Sequence, residues 1–130
     1  MKGRRWMKVH APKSKYIYRG SWYAWAAGFF DGEGYVGVRS NGGKGLGIQA
    51  MVVQKDLRPL KRFKRILRTG KIYKTHNGSG CSTWQVTSSG LVLDLYEKLA
   101  PYLAPVKQEQ FRLAFKKWLK AKRQYGRVRR

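Results

Sequence analysis

The stretch WAAGFFDGEGYVGV, residues 25–38, decides the fold because it leads from a nearly all-apolar run into a candidate strand through two carboxylates. Asp31 and Glu33 lie two residues apart, and a glycine follows each of them. The whole chain has only six acidic residues against 29 basic ones. A carboxylate on a protein that meets phosphates has a clear use when it holds a divalent cation beside one of them.

The composition predicts one basic, folded domain. The chain has 130 residues, a formal charge of +23 and 42% hydrophobic residues, which excludes a disordered polycation. Nucleic acid is the favoured partner, because each phosphate contacted by Lys or Arg releases a counterion. A membrane surface is the weaker alternative. The single cysteine, Cys81, excludes an intrachain disulfide and fits a reducing compartment.

Three segments are predicted: a basic arm over residues 1–20, one domain over 21–125 and a basic tail over 126–130. The first ten residues lack the apolar core of a signal peptide, and the longest apolar run is too short to cross a bilayer. We therefore expect a cytoplasmic or organellar protein without a membrane partner.

The apolar run is predicted to form a buried helix over Trp22–Phe30 with Ser21 as its N-cap. Ala24, Gly28 and Gly32 recur at a spacing of four, so they lie on one face of this helix. Such a stripe lets another helix approach closely. The second helix could belong to the same chain or to a second copy.

The rest of the chain predicts an α+β domain with element order αββαββα(α). The predicted elements are strands Tyr35–Arg39 and Leu46–Val53, a helix from Asp56 to about Arg68, strands Lys71–Thr75 and Ser82–Thr87, and helices Leu91–Leu99 and Val106–Tyr125. Glycine-rich hairpin signals join the strands in pairs, which predicts one four-stranded antiparallel sheet. Helices on one face would leave the other face free as a nucleic-acid saddle.

The segment Ala26–Gly34 resembles the nine-residue motif that names the LAGLIDADG homing endonucleases. Two further segments are similar to family active-site regions: Val53–Arg58, and Leu99–Leu103 followed by Lys107 and Gln108. The resemblance extends over roughly residues 21–120. It implies the LAGLIDADG homing endonuclease fold, with the sheet forming a saddle on double-stranded DNA.

The resemblance also implies roles for individual residues. The implied catalytic residues are Glu33, Gln54, Lys107 and Arg58. Glu33, the eighth motif position, would bind Mg²⁺ together with Gly32, and Mn²⁺ could replace Mg²⁺. One residue more than expected separates Pro101 from Lys107.

Because the family fold packs two motif helices together and this chain has one motif, the resemblance implies a homodimer. The implied interface residues are Ala24, Gly28, Asp31 and Gly32, and Asp31 would also cap and orient the helix end. A two-fold protein reads a near-palindromic site.

Strand alternation predicts which side chains face the saddle. The predicted DNA-contacting residues are Arg39, Gln49, Met51, Tyr73, Thr75, Thr83 and Gln85, with Lys44 and Lys71 on phosphates. The alternative is that these side chains lie on simple solvent-exposed strand faces and contact no DNA.

The favoured function is a site-specific, metal-dependent DNA endonuclease that makes a double-strand break. The principal alternative is a non-cleaving protein of the same fold, either an intron maturase with an RNA partner or a DNA-binding regulator. A small basic ribosomal or RNA-packaging protein is more distant, since it has no need for a glycine stripe ending in a carboxylate.

Overall fold

The computed structural model describes residues 15–40, 42, 45–75 and 78–129. The helices are α1 (Lys15–Glu33), α2 (Leu57–Leu67), α3 (Ser89–Leu99) and α4 (Pro105–Arg129), and the strands are β1 (Gly34–Ser40), β2 (Leu46–Gln54), β3 (Lys71–Lys74) and β4 (Ser82–Val86). A short 3-10 helix, Ala100–Tyr102, joins α3 to α4. No helix among these residues is long and apolar enough to cross a membrane.

The element order and the sheet agree with the sequence prediction, but several helix limits differ: α1 ends at Glu33 and not at Phe30, and α3 begins at Ser89 and not at Leu91. Helix α1 already includes Lys15, so Ser21 lies inside it and is not an N-cap. Helix α4 continues to Arg129, through most of the predicted tail. Residues 1–14 of the predicted arm lie outside the described residues.

The four strands form one antiparallel sheet in the order β1-β2-β4-β3. The two central strands carry the apolar residues Ile48, Ala50, Val52, Trp84 and Val86 on the face that meets the helices, and all five are buried. Their period of two is the alternation expected of a sheet with one covered face.

A chain of aromatic rings connects the helices to the sheet. Phe63 of α2 meets Trp84 of β4 edge to face at a centroid distance of 4.7 Å. Phe63 also stacks with Phe30 of α1 at 6.2 Å, and Phe30 meets Phe111 of α4 at 5.5 Å. All four rings are fully buried, so these residues hold α1, α2 and α4 on the same sheet face.

The turn between α2 and β3 depends on a glycine because Trp84 lies against it. Gly70 has φ +94°, and a Cβ there would collide with the indole of Trp84. That indole donates from Nε1 to the carbonyl oxygen of Thr69 at 2.9 Å, which fixes the ring in place. A side chain at position 70 is therefore excluded both by backbone conformation and by space.

We expect Gly70→Ala to destabilise the fold by about 1–3 kcal/mol, since the methyl group must displace a buried indole. Gly90→Ala is the matched control, because Gly90 lies in α3 with open space at its Cβ position. The control should be neutral or stabilising by up to about 1 kcal/mol, as alanine favours helices. Urea unfolding of both variants measures the difference; equal stabilities would contradict this account of the turn.

Candidate metal and nucleic-acid site

The C-terminal end of α1 carries an unusual charge arrangement. Its last turn contains Asp31 and Glu33 and no basic residue. The final carbonyl groups of a helix lack partners within the helix and form the negative end of its dipole. Two carboxylates therefore lie where a cation, and not an anion, is favoured.

Asp31 is compensated within the chain. Both of its carboxylate oxygens accept from the backbone N–H of Ala104, at 3.1 Å each. Ala104 immediately precedes α4, where the first N–H groups of a helix attract negative charge. Asp31 thus connects the end of α1 to the beginning of α4, and its predicted place in a dimer interface stays a prediction.

Lys107 lies beside the motif, as the resemblance implied. Its Nζ donates to the carbonyl oxygen of Gly34 at 2.7 Å and to Oε1 of Gln110 at 3.1 Å. The ammonium also lies 5.8 Å from the centroid of the Phe30 ring. An ammonium has three donors, so one N–H of Lys107 is left for a further acceptor.

Gln54 ends β2 on the same side of the sheet as the motif. Val52 of β2 pairs with Gly34, the residue that directly follows α1. Gln54 lies two residues beyond Val52, so it is at the end of the sheet where α1 ends. Its side-chain amide is half-exposed and makes no hydrogen bond with the described residues. Gln54 is therefore free to bind a ligand or water at this end of the sheet.

Arg58 has a different environment from the one its predicted role requires. It is highly exposed and forms a two-pronged pair with Asp56, with Nη2 to Oδ2 at 2.6 Å and Nε to Oδ1 at 3.0 Å. Asp56 also caps α2 by accepting from the backbone N–H of Arg58 at 2.9 Å. These hydrogen bonds hold the pKa of Asp56 down from 3.8 to about 2. The geometry gives Arg58 a structural role at the start of α2, and its catalytic role stays a prediction.

Glu33 is the carboxylate of the motif that remains available. It is exposed and has no hydrogen bond or ion pair with any described residue. No cluster of three or more His, Cys, Asp or Glu side chains exists among the described residues. One carboxylate and the free carbonyl of Gly32 suit Mg²⁺, which is commonly held by one or two carboxylates together with substrate phosphates and water.

The small-residue stripe of α1 faces away from its own chain. Ala24, Gly28 and Gly32 are all exposed. A Cβ added at Gly28 or Gly32 would meet no described atom within 4 Å. Packing among the described residues therefore does not require glycine at either position. Gly34 is different, because a Cβ there would collide with the Phe30 ring.

The uncovered sheet face presents the predicted DNA-contacting side chains. Tyr73 donates from its hydroxyl to Oε1 of Gln85 at 2.6 Å, and Gln85 donates from Nε2 to Oε1 of Gln49 at 2.8 Å. Three strands thus share one hydrogen-bond network, which fixes the amide orientations. Met51 is directly opposite Gln85, and Arg39 is exposed on the same face of β1.

One predicted contact is placed differently, a second lies outside the described residues, and the prediction missed an exposed residue on this face. Thr83 is only 3% exposed and shares a 2.8 Å hydroxyl contact with Thr75, so it supports its neighbour and does not reach outward. Lys44 lies outside the described residues, whereas Lys71 is exposed beside Gln85. Tyr35 is exposed over Gly37 on this face, and its shared strand phase with Arg39 is the signal that would have found it.

Comparison with known families decides the assignment. The family model described as LAGLIDADG endonuclease matches residues 26–122, which include the motif, both hairpins and most of α4. The chain belongs to the LAGLIDADG endonuclease family. A comparison with curated proteins gives no significant match.

Solved structures of LAGLIDADG proteins share the fold. The homing endonuclease I-CvuI, in complex with the I-CreI target in the presence of 2 mM Mg and with the DNA not cleaved, is 26% identical with a TM-score of 0.65. The match covers 75% of this chain and 65% of that one. I-CvuI in complex with its own target in the presence of 2 mM Ca is also 26% identical, with a TM-score of 0.64 and the same coverage. The archaeal intron-encoded I-Vdi141I, complexed with DNA, is 22% identical with a TM-score of 0.62 over 68% of this chain and 61% of that one, a likeness of fold.

The Asp56 pair predicts a pH-dependent contribution to stability. Because folding lowers this pKa, the contribution is complete above the ordinary pKa of about 3.8 and is lost as the pH falls towards about 2. Asp56→Ala should lower the melting temperature most above about pH 4, and the difference from the parent should close near about pH 2. Asp56→Ser retains a capping oxygen, so it should lower the melting temperature less than Asp56→Ala does. A difference that stays constant across this range would contradict the assignment.

Proposed function

We propose that the protein is a homodimeric, Mg²⁺-dependent homing endonuclease that makes a double-strand break in a long, near-palindromic DNA target. The observation that carries the proposal is Glu33: an exposed carboxylate at the negative end of α1, without a partner among the described residues, next to Gly34 whose carbonyl oxygen accepts from Lys107. In a chain of charge +23, such a carboxylate repels DNA phosphate unless a cation lies between them.

The metal would be held by the Glu33 carboxylate and the Gly32 carbonyl, with DNA phosphate oxygens and water completing the coordination. When bound, Mg²⁺ lowers the pKa of a coordinated water and neutralises charge on the scissile phosphate. The DNA complexes of I-CvuI, formed in Mg and in Ca, support the use of a divalent cation by a relative.

The chain's own residues would then orient water and stabilise charge. Lys107 holds its ammonium on Gly34 and Gln110, so its remaining N–H can donate to a phosphate oxygen as negative charge develops. The free amide of Gln54 can position a water molecule. Neither side chain must break a partner bond to act, which limits the reorganisation needed during the reaction.

Target recognition is assigned to the uncovered sheet face. In the network of Tyr73, Gln85 and Gln49, Gln49 uses its Oε1 to accept from Gln85. Its Nε2 donors can therefore meet acceptors on a base edge. Exposed Arg39 and Lys71 extend the same face towards the two outer strands. Fixed amide orientations make the readout more selective, because a mismatched base cannot be met by a simple amide rotation.

A homodimer would bring two such sites together. The open stripe of Ala24, Gly28 and Gly32 would let α1 pack closely against α1 of a second copy, and each Glu33 would then lie near the shared axis. One metal-binding acid would then serve each DNA strand.

We expect Glu33→Gln to abolish cleavage while leaving DNA affinity similar, since the amide preserves shape but removes the metal-binding charge. The measurement is sequencing of new DNA ends from a pooled library of randomised near-palindromic sites in Mg²⁺, with binding to recovered sites measured in Ca²⁺. Glu97→Gln is the matched control, as Glu97 is an exposed acid on α3.

Cleavage that survives Glu33→Gln would refute the assigned role of this residue. Specific binding by the parent protein without any cleavage in Mg²⁺ or Mn²⁺ would instead favour a DNA-binding regulator. A preference for structured intron RNA over every DNA site would favour the maturase alternative.

The dimer predicts that Gly28→Leu yields a folded monomer without cleavage activity. The added side chain has open space in its own chain but would block close approach of a second α1. Gly90→Leu is the matched control, since Gly90 is also an exposed helical glycine with open space. Analytical ultracentrifugation should find the parent and the control at twice the mass of one 15.1 kDa chain. A parent that sediments as a monomer both alone and on DNA would refute the interface.

A further inference from the structure

A basic groove lies between α2 and the edge strand β3. Its volume is about 1130 Å³. Six basic side chains from three separate segments surround it: Lys55, Lys61, Lys64, Arg65, Arg68 and Lys74. All six are exposed, and none forms an ion pair with a described residue. This convergence of like charge is unfavourable without a polyanion.

The conformation of Arg68 separates this groove from an ordinary solvated helix face. Arg68 is the only residue other than glycine with positive φ among the described residues, at 58°, and it ends α2. Glycine is the favoured residue for this left-handed position, because it has no Cβ to strain. The chain therefore places a guanidinium on the groove wall at a conformational cost, as is typical of functional positions.

The groove also has apolar surface between its charges. Leu57 at the start of α2 is 41% exposed, and Ile72 of β3 is half-buried, and both line the groove. A nucleic-acid duplex keeps its bases stacked inside and offers mainly phosphates to such a wall. A single strand can set bases on the apolar surface and phosphates on the basic rim.

The groove and the proposed DNA saddle lie mainly on opposite faces of the sheet and meet at Tyr73, which lines the groove and belongs to the saddle network. Ile72 pairs with the buried Trp84, and Lys74 pairs with Ser82, so both belong to the helix-covered face of the sheet. The saddle residues Gln49 and Gln85 occupy the opposite face. Of the described saddle residues, Tyr73 is therefore the one that a ligand in the groove would share with DNA on the saddle.

We propose that this groove binds single-stranded nucleic acid as a second binding site, distinct from the metal site at Glu33 and adjoining the DNA saddle at Tyr73. Phosphates of the strand contact the α2 cations and Lys74, and bases contact Leu57 and Ile72. DNA and RNA strands share these groups, so both fit.

The test compares two charge-matched double variants. Lys61→Gln with Lys64→Gln removes two groove cations, and Lys116→Gln with Lys120→Gln removes two exposed cations of α4. The probes are fluorescent oligothymidylate and oligouridylate of about 16 nucleotides, within common single-strand site sizes, and a duplex of unrelated sequence. Fluorescence anisotropy over a salt series gives the affinities.

The groove variant should lose about 25-fold in single-strand affinity at about 0.1 M salt, with a salt slope smaller by about 1.4, since each single-strand phosphate contact contributes about 0.7. The α4 variant should lose much less, and duplex affinity should change little in both. Equal losses in the two variants, or an equal loss of duplex affinity in the groove variant, would overturn the proposal.

Arg68→Gly gives an independent readout that misfolding cannot imitate. Relief of the left-handed strain should raise the melting temperature, while loss of the guanidinium lowers single-strand affinity. A variant with unchanged single-strand affinity would contradict a role for Arg68 in the groove.

Discussion

The packing of the Phe30 ring is the constraint on which the rest of the structure depends. This ring is fully buried between Phe63 and Phe111, so it connects α1 with α2 and α4. It also occupies the space that a side chain at Gly34 would need, and the strand β1 can therefore begin directly where α1 ends. Glu33 lies at this junction, and its position follows from a core contact. Such packing fixes the backbone at Glu33 while its side chain stays exposed.

The balance of charge at this junction also depends on contacts between α1 and α4. The end of α1 collects negative charge, which the described chain compensates in two places: Asp31 accepts from Ala104, and Lys107 donates to Gly34. Both contacts also connect α1 to α4, so the charge balance of the site and the packing of the domain are coupled. Glu33 has no partner within the part of the chain that the structure describes. That imbalance, in a chain with 29 basic residues, is the physical basis for assigning a cation to the site.

The two sides of the sheet have contrasting chemistry. The uncovered face is polar and internally hydrogen-bonded through Gln49, Gln85 and Tyr73, an arrangement that fixes donors and acceptors for selective contacts. The groove at the β3 edge combines basic side chains that make no ion pair with a described residue and apolar surface, and Tyr73 connects it to the network. The first is suited to reading a sequence and the second to holding a strand irrespective of sequence.

The sequence by itself determined the family, the α+β order, the antiparallel sheet and the identity of the motif acid, because strand alternation, hairpin glycines and motif spacing are local signals. It also placed Lys107 near the motif by resemblance. Only the tertiary structure decided that Arg58 is held by Asp56, that Thr83 is buried, and that Arg68 lines a groove with Lys74. The last two depend on which distant segments pack together, and the first depends on the side-chain conformations of two nearby residues. Residue type and spacing are the same whether a side chain is covered, paired or free, so those outcomes follow from three-dimensional contacts alone.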